Sequence, residues 1–362
     1  MPSAAYYPLS TRPLVLYAKD WAFRHESQPI FRLLESLANE PTLLLLSPSW
    51  NMRSESQFDY LGNRANRVAA INSRARLVVL APTESALQAM RDRNLPCVHV
   101  NQNALADERV FRPLESVRRW DAVYDAKLSP FKRHELASGL TSLALITYRH
   151  RSALPSNRRY AKTVDHILGS AFRFNPPGRS GFLATEQVNE ALSQCRVGLC
   201  LSEVEGTMWA SIQYLLAGLP VVTTPSEGGR TEFFHEDYVA TVPPDPDAVA
   251  DGVARMVDSG ISAQEISRRT LALMEPHRKR LFNAVDEFLS ENGEARVLEE
   301  SWDSVRVHAF RYPRLTGPNL TGFTMRGRIR QFNSAIVSGV RERRPFLPES
   351  ELRHAVGNSR DQ

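Results

Sequence analysis

Cysteine is scarce in this sequence, and long apolar runs are absent. The 362 residues include 3 cysteines, Cys97, Cys195 and Cys200, and this odd number in mostly apolar surroundings predicts reduced core thiols. The longest apolar stretches, such as residues 42–46, are far too short to cross a bilayer. The first residues do not show a charged segment followed by an apolar one. We therefore expect no secretory signal, and a cytoplasmic location.

Metal-ligand patterns are missing as well. No Cys/His cluster has the spacing of a zinc site. One Asp-x-Asp pair, Asp245 and Asp247, follows two prolines and opens a helix-like stretch, so we assign it to helix capping and not to a divalent cation. The sequence thus predicts no bound metal and no cofactor.

Positive charge is concentrated in one segment. Residues 301–362 carry 11 Arg against 5 acidic residues, or +6, so the other 301 residues sum to −1 within the net charge of +5. No aromatic-interleaved basic patch accompanies this segment, which argues against nucleic-acid binding. The segment could contact an anionic membrane surface at the inner membrane face, or it could simply pack back on the first domain.

Apolar runs of strand length alternate with stretches of helical period. Such alternation predicts parallel sheets covered by helices on both faces. A polar stretch, residues 101–120, interrupts it once. The predicted architecture is α/β, with two doubly wound, Rossmann-like domains at 1–118 and 119–300 and a basic extension at 301–362. Ligands in such sheets bind beyond the carboxyl ends of the strands.

The first candidate loop joins a predicted strand to a predicted helix at residues 207–217. Glu205, Gly206 and Thr207 lie at the start of this helix, where free N–H groups suit a phosphate. Gly206 would let a ligand approach the backbone. An ordinary tight turn is the alternative interpretation. Gln213 would lie about two turns into the helix, on one stripe with small residues, either facing a ligand or forming a buried amide contact.

The second and third candidate loops are basic and glycine-rich, respectively. Lys132 and Arg133 would fall in the first turn of a helix predicted from Pro130, where cations oppose the helix dipole. Together with Lys127 they would suit a diphosphate, although a solvated surface explains them too. Gly228 and Gly229 follow a strand and could form an anion-binding nest or a plain turn.

These residues together resemble the nucleotide-sugar-dependent glycosyltransferases of the GT-B fold, in particular the retaining family four (glycosyl transferases group 1). The motifs in this chain are Lys127-x4-Lys132, Ser202-x-x-Glu205-Gly206, Gly218-x-Pro220-Val221-Val222 and Gly228-Gly229-x-x-Glu232. Their order and spacing match the family over about residues 97–290.

The resemblance implies two Rossmann-like domains that face a central cleft, with the sugar nucleotide held mainly by the second. Lys127 and Lys132 would hold the diphosphate, Arg133 and Thr207 would lie beside it, and Glu205 would lie near the donor sugar. Residue 213 would contact the ribose, and Gly206, Gly228 and Gly229 would line the sugar and phosphate. Glu205 and Lys132 are the implied catalytic residues.

The chain departs from the family at several positions. Lys127 stands where the family usually has Arg, Arg133 replaces a Gly, and Gln213 replaces a second Glu. The glycine-rich loop of the first domain is missing, because residues 19–29 contain no glycine. Asp20 and His25 are the candidates on the acceptor side.

The function implied is metal-independent transfer of a sugar from a nucleotide diphosphate sugar to an acceptor hydroxyl, with anomeric retention. The acceptor would be a glycan or lipid-linked glycan, in polysaccharide or glycolipid biosynthesis. Two alternatives stay open: a catalytically weak sugar-nucleotide-binding protein of this fold, and a GT-B sugar-nucleotide epimerase.

Overall fold

A computed structural model describes residues 6–11, 13–148, 155–175 and 182–293 of the chain. The basic segment 301–362 lies outside the described residues, so its predicted membrane contact stays a prediction. None of the described helices is both long and apolar enough to span a membrane.

The first domain contains a five-stranded sheet in the order β1-β2-β3-β4-β5. The strands are β1 (Tyr6–Thr11), β2 (Leu14–Lys19), β3 (Thr42–Ser47), β4 (Ala75–Ala81) and β5 (Cys97–His99). Only β1 is antiparallel to its neighbour, and it was not predicted. The helices are α1 (Pro29–Ser36), α2 (Glu55–Ile71) and α3 (Glu84–Arg91).

The second domain contains a six-stranded parallel sheet in the order β11-β10-β9-β6-β7-β8. The strands are β6 (Trp120–Lys127), β7 (Leu143–Tyr148), β8 (Phe172–Arg173), β9 (Cys195–Cys200), β10 (Val221–Thr223) and β11 (Val239–Thr241). The helices are α4 (Pro155–Ile167), α5 (Thr185–Ser193), α6 (Trp209–Leu216), α7 (Pro246–Val257) and α8 (Ala263–Glu291). The predicted class, α/β with a mainly parallel sheet in each of two domains, is confirmed.

Local sequence explains where several elements begin. All six residues of β3 are buried, as expected for a central strand covered on both faces. At the start of α7, the Asp245 carboxylate accepts hydrogen bonds from the N–H groups of Asp247 and Ala248, each at 3.0 Å. The predicted capping role of Asp245 is therefore confirmed.

Helix α8 joins the two domains. Ile266 and Met274 in its first half belong to the second domain's core, whereas Leu281 and Val285 in its second half pack on the first sheet. The sequence predicted this helix only after Glu275, to about Ser290. Pro276 lies inside a 29-residue helix. The domain division drawn from the sequence did not include this return to the first domain.

The helix predicted from Pro130 is not present. Two short 3₁₀ turns, Pro130–Lys132 and His134–Ala137, take its place, and they are separated by Arg133 in a left-handed conformation with φ of 49°. Because neither turn has the aligned peptides of an α-helix, the predicted conflict between Lys132 and a helix dipole does not arise. Ser129, which precedes the first turn, does not cap it and donates from its hydroxyl to Oδ1 of Asn157 at 3.1 Å.

Candidate functional site

The candidate site lies where β6 and β9 separate at their carboxyl ends. The two strands pair only as far as Val123 and Gly198. Beyond that point, the hydroxyl of Tyr214 accepts the N–H of Asp125 at 2.6 Å. The chain adds β7 and β8 on one side of β6, and it then adds β9, β10 and β11 on the other side. The gap between β6 and β9 is therefore a topological switch point. Such points are where α/β sheets bind ligands.

A buried ion pair spans this gap. Lys132, from the turn after β6, donates from Nζ to Oε1 of Glu205, in the loop after β9. The two side chains are only 11% and 7% exposed. Lysine has three N–H donors, and Oε2 of Glu205 has no hydrogen-bond partner among the described residues. Both groups therefore keep bonding capacity for a ligand, and Glu205 is a direct partner of Lys132 that the sequence did not predict.

Lys127 adds a second positive charge beside this pair. Its half-buried ammonium has no acidic partner within ion-pair distance among the described residues, and its pKa is lowered by burial and then by the nearby charge of Lys132. The ammonium groups of Lys127 and Lys132 lie 5.6 and 5.1 Å from the ring centre of Phe131. A nearby positive charge that disfavours the charged form of Lys127 favours the binding of an anion beside it.

The first domain closes one side of this cleft. Trp50 packs edge-on against Phe131, with 5.4 Å between the ring centres. A Cβ on Gly206 would lie 3.0 Å from the carbonyl oxygen of Ser49. The absent side chain at Gly206 thus accommodates the opposing domain. This contact does not test whether a ligand approaches the backbone at Gly206, so that role stays a prediction.

Arg133 faces the protein and not the gap. Its Nε donates to the carbonyl of Leu201 at 2.7 Å, and its Nη2 donates to the hydroxyl of Thr224 at 2.8 Å. The positive φ of Arg133 explains why the related family has glycine here, because non-glycine residues are strained in this region. These contacts give Arg133 a structural role in place of the predicted contact to the donor.

Gly228 and Gly229 pack closely against the loop that contains Glu205, and they do not form an open anion-binding nest. The N–H of Gly229 donates to the carbonyl of Gly206 at 2.6 Å, so this donor is already used. Gly228 has φ of 112°, and a Cβ there would lie 1.7 Å from the carbonyl oxygen of Glu205. The two glycines hold the loop containing Glu205 in place.

The helix after Glu205 begins later than predicted. Its N-cap is Met208, with φ of 44°, and α6 starts at Trp209. The hydroxyl of Thr207, a predicted contact to the sugar nucleotide, accepts a hydrogen bond from the side-chain amide of Gln102 in the linker between the domains. Gln213 is the fifth residue of α6, little more than one turn from its start. Its side chain is buried, and its amide makes no hydrogen bond to the described residues.

The two acceptor-side candidates differ in position. The carboxylate of Asp20 accepts from the N–H of Ser49 at 3.0 Å. Asp20 therefore lies next to the loop after β3, which contains Ser49 and Trp50 and is called the cleft loop below. His25 is exposed, and no described contact places it in the cleft. Lys19, which the sequence analysis missed, donates to Ser47 at 3.1 Å at the end of β3. Burial lowers the pKa of Lys19 to about 7.

Three potential metal-ligating residues meet at the domain junction, although their sequence spacing gave no signal. Ligand atoms of His99, Glu232 and His277 lie within 4.8 Å of one another. However, Nδ1 of His277 accepts the N–H of Asn101 at 3.2 Å. The neutral ring must then carry its hydrogen on Nε2, the atom that faces Glu232 at 3.5 Å. Because that nitrogen has no lone pair to offer, we assign the cluster to packing between the domains and not to a metal.

Asp125 is a further residue that the sequence analysis missed. It lies on β6 two residues before Lys127, and so on the same face of the strand. Burial raises its pKa from 3.8 to about 7, and the charge of Lys132 offsets part of this rise. Below about pH 7 the protonated carboxyl group can donate a hydrogen bond to an anion in the cleft.

Stability should therefore depend on pH through Asp125. The folded pKa exceeds the unfolded one, so the stability contribution is complete below about pH 4 and is lost as pH rises through 7. We expect Asp125→Asn to gain about 2 kcal/mol more in unfolding free energy at pH 8 than at pH 5. Denaturant titrations at the two pH values measure this difference. Asp121→Asn, at an exposed site on the same strand, is the control, and an equal effect of Asp125→Asn at both pH values would contradict the assignment.

Comparisons with known proteins support the fold described above. Residues 180–271 match the family model described as glycosyl transferases group 1. This segment includes Glu205, Gln213 and the Gly228-Gly229 pair, and it ends before most of α8. The comparison with curated proteins found no match.

Solved structures resemble the chain over most of its length. TarM from S. aureus superposes with a TM-score of 0.52 at 13% identity, covering 71% of this chain and 57% of TarM. This chain thus spans little more than half the length of TarM. HepE from Anabaena, in a crystal with UDP-glucose, gives 0.51 at 15% identity, covering 78% and 80%. A UDP-forming α,α-trehalose-phosphate synthase from Burkholderia xenovorans gives 0.51 at 11% identity, covering 76% and 73%.

At these identities the structural likeness establishes the fold alone. The protein therefore has the two-domain GT-B fold, and within its second domain residues 180–271 match glycosyl transferases group 1.

Proposed function

We propose that this protein is a glycosyltransferase that moves a sugar from a nucleotide diphosphate sugar to an acceptor hydroxyl with retention of the anomeric configuration. The buried Lys132–Glu205 pair at the switch point, with Lys127 beside it, is the observation that carries the proposal. Breaking the anomeric bond leaves negative charge on the departing diphosphate. Lys127 and the remaining N–H groups of Lys132 stabilise that charge in a cleft that largely excludes water.

Glu205 and Gln213 contact the sugar and the ribose in this proposal. Oε2 of Glu205 accepts hydrogen bonds from hydroxyl groups of the donor sugar. The Gln213 amide accepts from one ribose hydroxyl through its oxygen and donates to the other through its nitrogen. Its burial without a described hydrogen-bond partner supports this role over a satisfied core amide.

The proposed reaction needs no divalent cation, because the two lysines supply the charge that a metal would otherwise provide. The acceptor is a glycan or lipid-linked glycan, and it enters from the first domain, where Asp20 lies beside the cleft loop. Transfer to such acceptors places the protein in glycan or glycolipid biosynthesis.

The first experiment uses UDP and UDP-glucose, because HepE shares this fold and was crystallised with both. We expect each ligand to raise the melting temperature, and UDP to be released from UDP-glucose at the same rate in EDTA and in Mg²⁺. A panel of other nucleotide diphosphate sugars extends the screen, and NMR of the product reports the anomer. Binding without any release would favour a catalytically weak binding protein, and no response to any nucleotide would contradict the proposal.

The same assay tests the ribose contact. Gln213→Ala should weaken donor binding by about tenfold, because it leaves the ribose hydroxyls unpaired in a buried site. Gln213→Glu should change binding by less than about tenfold, since a carboxylate also accepts from the ribose but adds charge near the diphosphate. Unchanged affinity in the alanine variant, measured by calorimetry, would remove residue 213 from the site.

A further inference from the structure

Arg230 is a fully buried arginine beneath the loop that contains Glu205. Its Nη1 donates to the carbonyl and the hydroxyl of Ser202, at 2.7 and 3.1 Å. Its Nη2 donates to the Thr223 hydroxyl and the Thr224 carbonyl, at 2.9 and 2.7 Å. All four acceptors are neutral, and Nε has no hydrogen-bond partner. Burying a guanidinium without a carboxylate in contact is costly, so its charge must be offset close by.

A chain of two hydrogen bonds joins Arg230 to Glu205 through Ser202, and the donor and acceptor in each bond are fixed. Arg230 has no acceptor, so Ser202 Oγ must accept from it. The one hydrogen of the Ser202 hydroxyl is then free to donate, and it points at Oε1 of Glu205 at 2.7 Å. Lys132 donates to the same oxygen. Oε1 is thus held by two donors, whereas Oε2 remains for another partner.

We propose that Arg230 is a positioning residue, which acts through Ser202 to hold one oxygen of Glu205 so that the other faces the donor sugar. This inference rests on the proposed function. It assigns a role to a position that the glycosyltransferase motif leaves open, since Arg230 stands at the first variable residue of Gly-Gly-x-x-Glu. The charge of Glu205, one hydroxyl away, offsets the buried guanidinium.

A purely structural role for Arg230 is the competing explanation. Arg230 also ties the end of β9, through Ser202, to the end of β10, through Thr223 and Thr224. The chain offers a matched pair of variants that separates the two roles. Ser202→Ala and Thr223→Val each remove one hydroxyl that accepts from Arg230, but only the Ser202 hydroxyl continues to Glu205.

The experiment compares turnover of a nucleotide diphosphate sugar with binding of the nucleotide diphosphate alone. We expect Ser202→Ala to lower kcat about tenfold or more, because one of two hydrogen bonds that orient Glu205 is lost. Binding of UDP, which lacks the transferred sugar that would contact Oε2, should stay within about twofold of the parent. Thr223→Val should leave kcat within about threefold, since its hydroxyl has no link to Glu205.

A double-mutant cycle tests whether Arg230 acts through Ser202. Arg230→Gln combined with Ser202→Ala should lose no more turnover than the worse single variant, because both break the same chain of hydrogen bonds. Equal kcat losses in Ser202→Ala and Thr223→Val, or additive losses in the cycle, would overturn the inference. If Arg230→Gln fails to fold, the comparison of Ser202→Ala with Thr223→Val still tests the inference. Lack of turnover in the parent would refute the proposed function instead, which keeps the two failures distinct.

Discussion

Replacing Lys132 with methionine is expected to reduce turnover at least a hundredfold and to lower the unfolding free energy by about 3–5 kcal/mol. Methionine keeps much of the apolar stem of the side chain but removes the ammonium group. Turnover falls because the leaving diphosphate loses an electrostatic contact in a buried site. Stability falls because Glu205 is left as a buried carboxylate without its cation. Steady-state kinetics and urea unfolding measure the two effects separately.

The double variant Lys132→Met/Glu205→Gln separates stability from catalysis. It removes both charges, so it should recover most of the lost stability, since a buried neutral pair costs little compared with an unpaired charge. Turnover should not recover, because neither charged group is restored. Recovered turnover in the double variant, or near-parental turnover in correctly folded Lys132→Met, would remove Lys132 from the catalytic machinery.

Replacing Gly228 with alanine should have a comparably large effect on activity. The backbone at Gly228, with φ of 112°, costs a side-chain-bearing residue about 1–3 kcal/mol, and the new Cβ would meet the Glu205 carbonyl oxygen at 1.7 Å. That contact is with backbone, so the loop with Glu205 must move. A shift of about 1 Å in a catalytic group can cost roughly a hundredfold in rate. We therefore expect a hundredfold lower turnover of the donor.

Gly260→Ala is the matched control for Gly228→Ala. Gly260 also has a positive φ, 69°, but no atom lies within 4 Å of a Cβ built there. The control should lose about 1 kcal/mol of stability from backbone strain and keep parental turnover. Similar turnover in Gly228→Ala and Gly260→Ala would mean that the glycine turn does not position Glu205.

Several elements were predictable because their signals are local. The buried run of β3 and the Asp245-Pro246 start of α7 were placed at their observed bounds. Elements whose bounds depend on distant packing were misplaced. A helix was predicted only after Glu275, yet α8 begins at Ala263 and runs through Pro276, because each half of the helix packs on a different domain. The edge strands β1 and β11 were missed.

The candidate site shows the same division. The motifs located Lys127, Lys132 and Glu205, because loops at the carboxyl ends of parallel strands converge on one edge of the sheet. They gave no sign of Arg230, which occupies a variable position of Gly228-Gly229-x-x-Glu232, or of Asp125, which lies outside the motifs. Arg133 was predicted to face the donor, but its left-handed backbone turns the side chain toward Leu201 and Thr224.

The sequence by itself determined the alternation of strands and helices, the α/β class and the loops that carry the basic and acidic residues. Hydrophobic periodicity and turn residues act over a few positions, so they can be read without knowing what lies opposite. Tertiary structure alone decided that Lys132 pairs with Glu205, 73 residues away, and that a buried arginine supports that carboxylate. Such contacts depend on how two loops from separate strands meet, because a hydrogen bond forms only where packing brings donor and acceptor within about 3 Å.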